Sequence, residues 1–257
     1  MLFLVGSAAI LSLSVELVAL RGDIGRMNTV FKFYLQAWTM FSISAGAALV
    51  WVYPAVMRHW LPGWRFLWSL CVGLLIGGAG LFTLLGGADK ITDRMTSLAP
   101  HTLDGMAYMQ YAHYNDSGQD MTLSEDLRAI QWMQDHIKGS PVIVEANTPE
   151  YRWGTRFTIY TGLPGVVGWN WHQRQQRAAL NTEAVFNRVQ EVGSFYNNSY
   201  MSEVQSFLSK YNVKYIVVGQ LELITYKAGN LTKFETYKGI LWDEVYRDGS
   251  TVIYQVK

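Results

Sequence analysis

Ionisable side chains suited to group transfer gather in the middle of this 257-residue chain. Glu145 directly follows the apolar run PVIV (141–144), where a ligand would meet the carboxyl end of a strand. A carboxylate there can take a proton from a hydroxyl, and nearby cations can hold a departing phosphate. The chain therefore offers Glu145 and His172 as catalytic candidates. The candidate phosphate-binding cations are Arg152, Arg156, Arg174 and Arg177.

Each of these residues also has a structural interpretation. Glu145 could pair with one of the arginines to fix a loop, because buried ion pairs often serve structure. His172 could be a hydrogen-bonded structural side chain. The sequence contains no GxGxxG, Walker loop, HExxH or Ser-centred elbow, so nucleotide-binding, zinc-protease and hydrolase classes lack their usual residues.

A second polar group lies near the N-terminus. Glu16 is the one ionisable residue of the run 2–20, and a carboxylate within an apolar span usually faces a bundle interior or a polar cavity. Polar residues then concentrate where the headgroup of a lipid-linked phosphate would lie. With Glu16, the predicted substrate-binding residues are Asp23, Arg26, Asn28 and Lys32. Snorkelling of Glu16 and interfacial anchoring of the other four are the alternatives.

The elements that hold these residues differ sharply between the two parts of the chain. Residues 1–88 contain three apolar runs that meet the roughly 20-residue requirement for crossing hydrocarbon. They predict transmembrane helices over about 2–20, 33–53 and 66–87. The net charge of +1 argues against a dedicated nucleic-acid binder, and a single cysteine, Cys71, excludes a disulfide framework.

The remainder predicts a water-soluble α/β domain over 122–257, preceded by an irregular connector over 89–121. Thr122 and Glu125 form a capping box before a helix over about 123–138. The runs PVIVEA (141–146) and KYIVVG (214–219) have the texture of buried strands, and an amphipathic helix precedes the second. A hairpin closes the chain, so we expect a small mixed sheet.

Two motifs carry a resemblance to a known family. The segments RMNTVFKFYLQAW (26–38) and TGLPGVVGWNWHQRQQR (161–177) together resemble the YYY membrane protein family of bacteria and archaea, a domain of unknown function. Further similar segments are EANTPEY (145–151) and KYNVKYIVVG (210–219). Members of that family look much longer, so the resemblance implies a C-terminal portion. The family commonly has His-Glu after the GW motif, whereas here Gln173 follows His172, so a role for that acid does not carry over.

The layout of that family is similar to that of polyprenyl-phosphate-sugar-dependent membrane glycosyltransferases. The resemblance implies a plasma-membrane protein with an extracytoplasmic C-terminal domain, which helps to recognise a lipid-phosphate-linked sugar. No cofactor is identified in this chain, and a divalent metal, where the reaction uses one, would be held by upstream residues. The alternative is a non-enzymatic envelope protein whose external α/β domain binds a glycan or a protein.

Overall fold

The computed structural model describes residues 1–19, 26–95, 98–177 and 183–257. These residues form two compact units, Met1–Arg94 and Met95–Lys257. The first unit is built from apolar helices. The second is an α/β domain with its own hydrophobic core.

The first unit contains two long apolar helices, α2 (Met27–His59) and α3 (Pro62–Arg94), of 33 residues each. At about 1.5 Å per residue each is roughly 50 Å long, which exceeds the ~30 Å hydrocarbon core of a bilayer. In their most apolar windows 11% of α2 and 0% of α3 is buried, so the apolar side chains face outward. Both helices are long and apolar enough to cross a membrane, and they contain the predicted spans 33–53 and 66–87.

The first apolar run forms a shorter helix than predicted. Helix α1 (Leu2–Leu17) has 16 residues, or roughly 24 Å, and the backbone is extended at Val18. The hydropathy of the run continues past the point at which the helix ends. The predicted three spans are therefore corrected to two candidate membrane helices and one shorter apolar helix.

The α/β domain has seven helices among the residues that the structure describes. Amphipathic faces account for the longer ones, as in the first of them, where Leu127, Ile130 and Met133 recur at helical spacing and are buried. The helices are α4 (Leu123–His136), α5 (Arg156–Thr161), α6 (Asn170–Gln176), α7 (Glu183–Asn197), α8 (Met201–Lys210), α9 (Gln220–Thr225) and α10 (Ala228–Thr236).

The strands form a two-stranded hairpin and a mixed four-stranded sheet in the order β3-β4-β6-β5. β3 and β4 are parallel, whereas β4, β6 and β5 pair antiparallel, so the predicted small mixed sheet is present. Ile143, Ile216 and Ile253, from three of its four strands, are fully buried. The strands are β1 (His113–Asp116), β2 (Gln119–Thr122), β3 (Val142–Val144), β4 (Val213–Val218), β5 (Trp242–Asp248) and β6 (Thr251–Val256).

Part of the predicted connector over 89–121 is regular structure. Helix α3 continues to Arg94, and β1 and β2 form a hairpin ahead of α4. Met109, in a 3-10 turn, and Met121, in β2, are fully buried in the core of the domain. Isolated methionines among polar residues give no periodicity, which is why the sequence did not reveal this packing.

Candidate functional site

Two buried carboxylates follow the parallel strands β3 and β4, and both contact one arginine. Glu145 comes directly after β3, and Glu222 lies in the first turn of α9, which follows β4. Arg156 donates from Nη1 and Nη2 to Glu222 at 3.1 and 2.9 Å. Its Nε donates to Asp126 of α4 at 2.6 Å, and its Nη1 lies 3.8 Å from Glu145 Oε2. The Arg156 side chain is 1% exposed, so this ion network is internal.

Burial and the guanidinium act in opposite directions on these carboxylates. Burial raises the pKa of Asp126 and of Glu145, although the Arg156 charge opposes it. Burial also acts to raise the pKa of Glu222, but Arg156 and two backbone N–H groups hold that pKa below its usual range. Glu222 is therefore the carboxylate that most firmly carries the charge paired with Arg156.

The polar atoms of Glu145 are already engaged within the domain. Oε2 accepts the N–H of Phe157 at 2.9 Å and Oε1 accepts the N–H of Thr158 at 2.8 Å. These N–H groups belong to the first turn of α5 and have no acceptor within that helix. The cavity between Glu145 and the segment 165–168 measures about 10 Å³, room for roughly one water molecule. The positions of Glu145 and Arg156 thus fit the structural interpretation of each.

The segment 147–155, which follows this network along the chain, is fixed at both ends. At its start, Asn147 Nδ2 donates to the carbonyl of Gly168 at 3.3 Å. Near its end, Trp153 Nε1 donates to Asp126 Oδ2 at 2.7 Å. The segment is therefore tied both to the loop before α6 and to the ion network.

Two further contacts hold the residues on either side of Tyr151. Arg152 Nη1 donates to Asp116 at 2.8 Å, and Glu150 Oε1 accepts the N–H of Trp171 at 3.1 Å. Tyr151 itself is 71% exposed and has φ 63°, a left-handed conformation that is rare for a bulky residue. The loop thus presents one aromatic ring to the outside.

Three rings meet at this point. Tyr151 and Trp169 have centroids 6.0 Å apart, Tyr151 and His172 5.7 Å, and Trp169 and His172 5.2 Å. The Tyr151 hydroxyl lies 3.3 Å from His172 Nε2, and Trp169 Nε1 donates to the carbonyl of Gly154 at 3.4 Å. The predicted catalytic candidate His172 is therefore part of a half-exposed aromatic cluster.

The two predicted cations of the segment after Trp169 have different surroundings. Arg174 has its Cζ 5.0 Å above the ring of Trp171 and donates from Nη2 to Asn170 Oδ1 at 3.3 Å. Its Nε is shielded from solvent and lacks an acceptor among the described residues. Arg177 is exposed and donates to the side-chain oxygen of Gln173. Arg174 is thus a positioned guanidinium whose described contacts are with neutral side chains.

The N-terminal polar group is partly assembled. Arg26 precedes the first turn of α2, and its Nη2 lies 3.1 Å from Glu16 Oε2 near the end of α1. The Tyr34 hydroxyl donates to Glu16 Oε1 at 3.4 Å. These contacts with α2 explain how an acid is accommodated at the end of an apolar helix.

The other predicted members of this group lie close by in sequence. Asn28 and Lys32 are four residues apart at the start of α2 and share a face of that helix. Lys32 is exposed and Asn28 is half-buried. Asp23 lies outside the described residues. Glu16, Arg26, Asn28 and Lys32 thus occur in one region of the first unit.

Sequence reasoning missed several residues of these sites. Glu222 follows the second buried strand, so the rule that singled out Glu145 would have found it. Asp126 and the proximity of Tyr151 to Trp169 had no comparable signal, because they depend on contacts between loops and helices. Within the described part of the chain, no group of three or more His, Cys, Asp or Glu side chains is arranged to hold a metal ion.

Comparison with known proteins indicates the class of protein to which this chain belongs. A family of uncharacterized membrane proteins, DUF2298, matches residues 1–41, which cover α1 and the first part of α2. Together with the two long apolar helices, this match makes the chain a membrane protein. The match does not extend to the α/β domain, and the YYY assignment remains a prediction.

Beyond this segment, known proteins add little. No curated protein matches the sequence. Among solved structures, the crystal structure of the C-terminal globular domain of oligosaccharyltransferase from Archaeoglobus fulgidus is similar, with 15% identity and a TM-score of 0.34. The match covers 51% of this chain and 95% of that one. A likeness of this degree supports no inference about activity.

Proposed function

We propose that this membrane protein takes part in glycosyl transfer from a lipid-phosphate-linked sugar, and that its α/β domain helps to recognise the donor. In this proposal the domain lies outside the cytoplasm, and the polar group of Glu16, Arg26, Asn28 and Lys32 contacts the lipid headgroup. A cationic group at the start of a membrane helix suits an anionic headgroup. The apolar outward faces of α2 and α3 suit a lipid bilayer, which is where a lipid-linked donor is found.

The observation that carries the proposal is the state of Arg174. Its guanidinium is held against Trp171, and its shielded Nε lacks an acceptor among the described residues. Because that Nε is shielded, a phosphate would approach the Nη groups of this half-buried side chain. Guanidinium groups bind phosphate through several parallel hydrogen bonds. Arg177, three residues further on, adds positive charge to the same end of the segment.

The two predicted catalytic candidates, Glu145 and His172, receive different roles in this proposal. Both oxygens of Glu145 are engaged by backbone N–H groups, so we assign it to holding α5. His172 lies at the surface with its ring beside Tyr151, where it can contact a bound substrate. The chain then supplies recognition more than catalysis, and any divalent metal used in the reaction would be held by residues outside this chain.

The test replaces Arg174 in the full chain, reconstituted in lipid nanodiscs, and measures binding of a polyprenyl-phosphate-linked glucose. We expect Arg174→Ala to weaken binding at least tenfold, since about 1.4 kcal/mol or more of charge-assisted hydrogen bonding is lost. Arg174→Lys keeps the charge but loses the planar guanidinium, so its donor affinity should lie between those of the wild type and Arg174→Ala.

A matched control is Arg128→Ala, which removes an exposed guanidinium of α4 that pairs with Asp248. An exposed pair contributes at most about 1 kcal/mol to stability, so this variant should bind the donor like the wild type. Equal donor affinity in the Arg174→Ala, Arg128→Ala and wild-type proteins would contradict the proposal.

The second candidate function is a non-enzymatic envelope protein whose external domain binds a glycan or a protein. It is favoured by the engagement of Glu145 and Arg156 in an internal network, which leaves the domain without the predicted base. The two functions differ in their use of phosphate. Binding of a free glycan with no preference for the phosphate-linked form would support the second.

A further inference from the structure

We propose that Tyr151, Trp169 and His172 form a subsite for one six-membered sugar ring. The assignment rests on the proposed function, in which the α/β domain recognises a sugar donor. It adds the residues that contact the sugar itself, as distinct from the phosphate that Arg174 would hold.

The shape of the cluster supports this subsite. The three ring planes meet at 65°, 73° and 51°, so the rings form a corner rather than a flat stack. All three centroid distances lie between 5.2 and 6.0 Å, so the rings contact one another. A ligand would lie against the outer surface of this corner, where Tyr151 is 71% exposed. Polar atoms lie at its edge, including the Tyr151 hydroxyl and His172 Nε2. An apolar corner with a polar rim suits a pyranose, which has an apolar C–H face and hydroxyls around it.

The backbone at Tyr151 shows that the ring is held in place. A left-handed conformation costs a bulky residue free energy and persists where the surroundings determine it. Here Glu150 is bonded to the backbone of Trp171, and Arg152 to Asp116, so the residues on both sides are fixed. The loop thus keeps an aromatic ring 71% exposed instead of burying it in the core.

The size and chemistry of the corner favour a sugar over two other partners. A stable protein interface buries about 800 Å² on each side, far more than three rings can offer. An aromatic cage for an organic cation is built from ring faces, whereas the rings here carry polar atoms at their edge, with His172 Nε2 3.3 Å from the Tyr151 hydroxyl. A neutral ring with hydroxyl groups meets neither difficulty.

The test uses the full chain in nanodiscs and ligand-observed NMR with the methyl glycosides of glucose, galactose and mannose. We expect saturation transfer from the wild-type protein to at least one of them. Tyr151→Ala should weaken that binding at least tenfold, while Tyr151→Phe, which keeps the ring, should lose less. Because Tyr151 lies at an exposed loop position, neither variant removes core packing. Tyr200→Ala, which removes another tyrosine that is 73% exposed, should bind like the wild type.

Several results would overturn the assignment. One is the absence of saturation transfer to any glycoside, and another is equal affinity in Tyr151→Ala and wild type. Tyr151-dependent binding of choline in place of the glycosides would assign the rings to a cation. Arg174→Ala should retain glycoside binding, because these probes carry no phosphate. Glycoside binding without any affinity for the phosphate-linked donor would therefore sink the proposed function while leaving the sugar subsite standing.

Discussion

At the scale of single residues, the arginines show what a sequence can say about a cation. Arg156 and Arg174 have the same chemistry and lie in the same stretch of the chain, and both are predicted phosphate ligands. Arg156 differs from Arg174 because it contacts Asp126 and Glu222, which lie 30 and 66 residues away from it in the chain. The sequence alone does not show that these residues come together. The residue types were therefore predictable, but the partition between buried network and open site was not.

The buried network gives a prediction about stability. Glu222→Gln removes the charge that pairs with both Nη atoms of Arg156, so it should lower the free energy of unfolding by about 3–5 kcal/mol at pH 7. The folded-state pKa of Glu222 is below its usual range, so its contribution is present above the unfolded-state pKa and lost as pH falls through the folded value. The difference between wild type and variant should therefore shrink in acid. Urea unfolding in detergent, followed by tryptophan fluorescence between pH 3 and 7, measures it.

A control for this prediction is Asp243→Asn, which removes an exposed carboxylate that pairs with Lys257. Its effect should stay below about 1 kcal/mol at each pH. If Glu222→Gln costs no more than Asp243→Asn, Arg156 does not depend on Glu222 in the way we describe.

At the scale of elements, helices and strands with regular apolar patterns could be predicted from the sequence, whereas loop conformations could not. Helix α4 and strands β3 and β4 were predictable because their apolar residues recur at the spacing of a helix or form short continuous runs. The turn at Asp248 and Gly249 likewise marks the β5–β6 hairpin. The segment 147–155 has no periodicity, and its conformation depends on partners from other parts of the domain, among them Asp116, Asp126 and Trp171. That segment carries the exposed ring of the candidate site.

The same segment depends on close packing that a single methyl group would disturb. A Cβ at position 154 would lie 2.3 Å from the Thr148 hydroxyl, so Gly154→Ala must displace one side of the loop. We expect the displaced loop to move Tyr151 and to cost about 1 kcal/mol of binding free energy, which weakens methyl glycoside binding at least fivefold. Adding Thr148→Ala removes the clashing oxygen and should restore most of the affinity. Ligand-observed NMR in nanodiscs is the measurement.

Gly193→Ala provides the matched control, because a Cβ at that position in α7 meets no atom within 4 Å. It should leave glycoside affinity unchanged and stabilise the helix by about 0.5–1 kcal/mol. Undiminished binding in Gly154→Ala would show that the loop does not position Tyr151 through this contact.

At the scale of the whole molecule, composition indicated the division into a membrane part and an α/β domain, but not its boundaries. Hydropathy identified both long helices, since it depends on residue type alone. It overestimated the first, because α1 ends at Leu17 within an apolar run. The composition of residues 89–121 likewise predicted a connector, although Met109 and Met121 are in the core of the domain. Where a helix ends and which isolated side chain is buried depend on contacts that composition does not report.

The central claim is that α2 and α3 lie in a lipid bilayer, since the proposed donor and the headgroup contacts both require it. Membranes from cells that express the full chain can be washed with alkaline carbonate and then extracted with detergent. We predict that the protein stays in the membrane pellet after the carbonate wash and is released by detergent. Recovery of the protein in the carbonate supernatant, as a monodisperse species without detergent, would contradict the account.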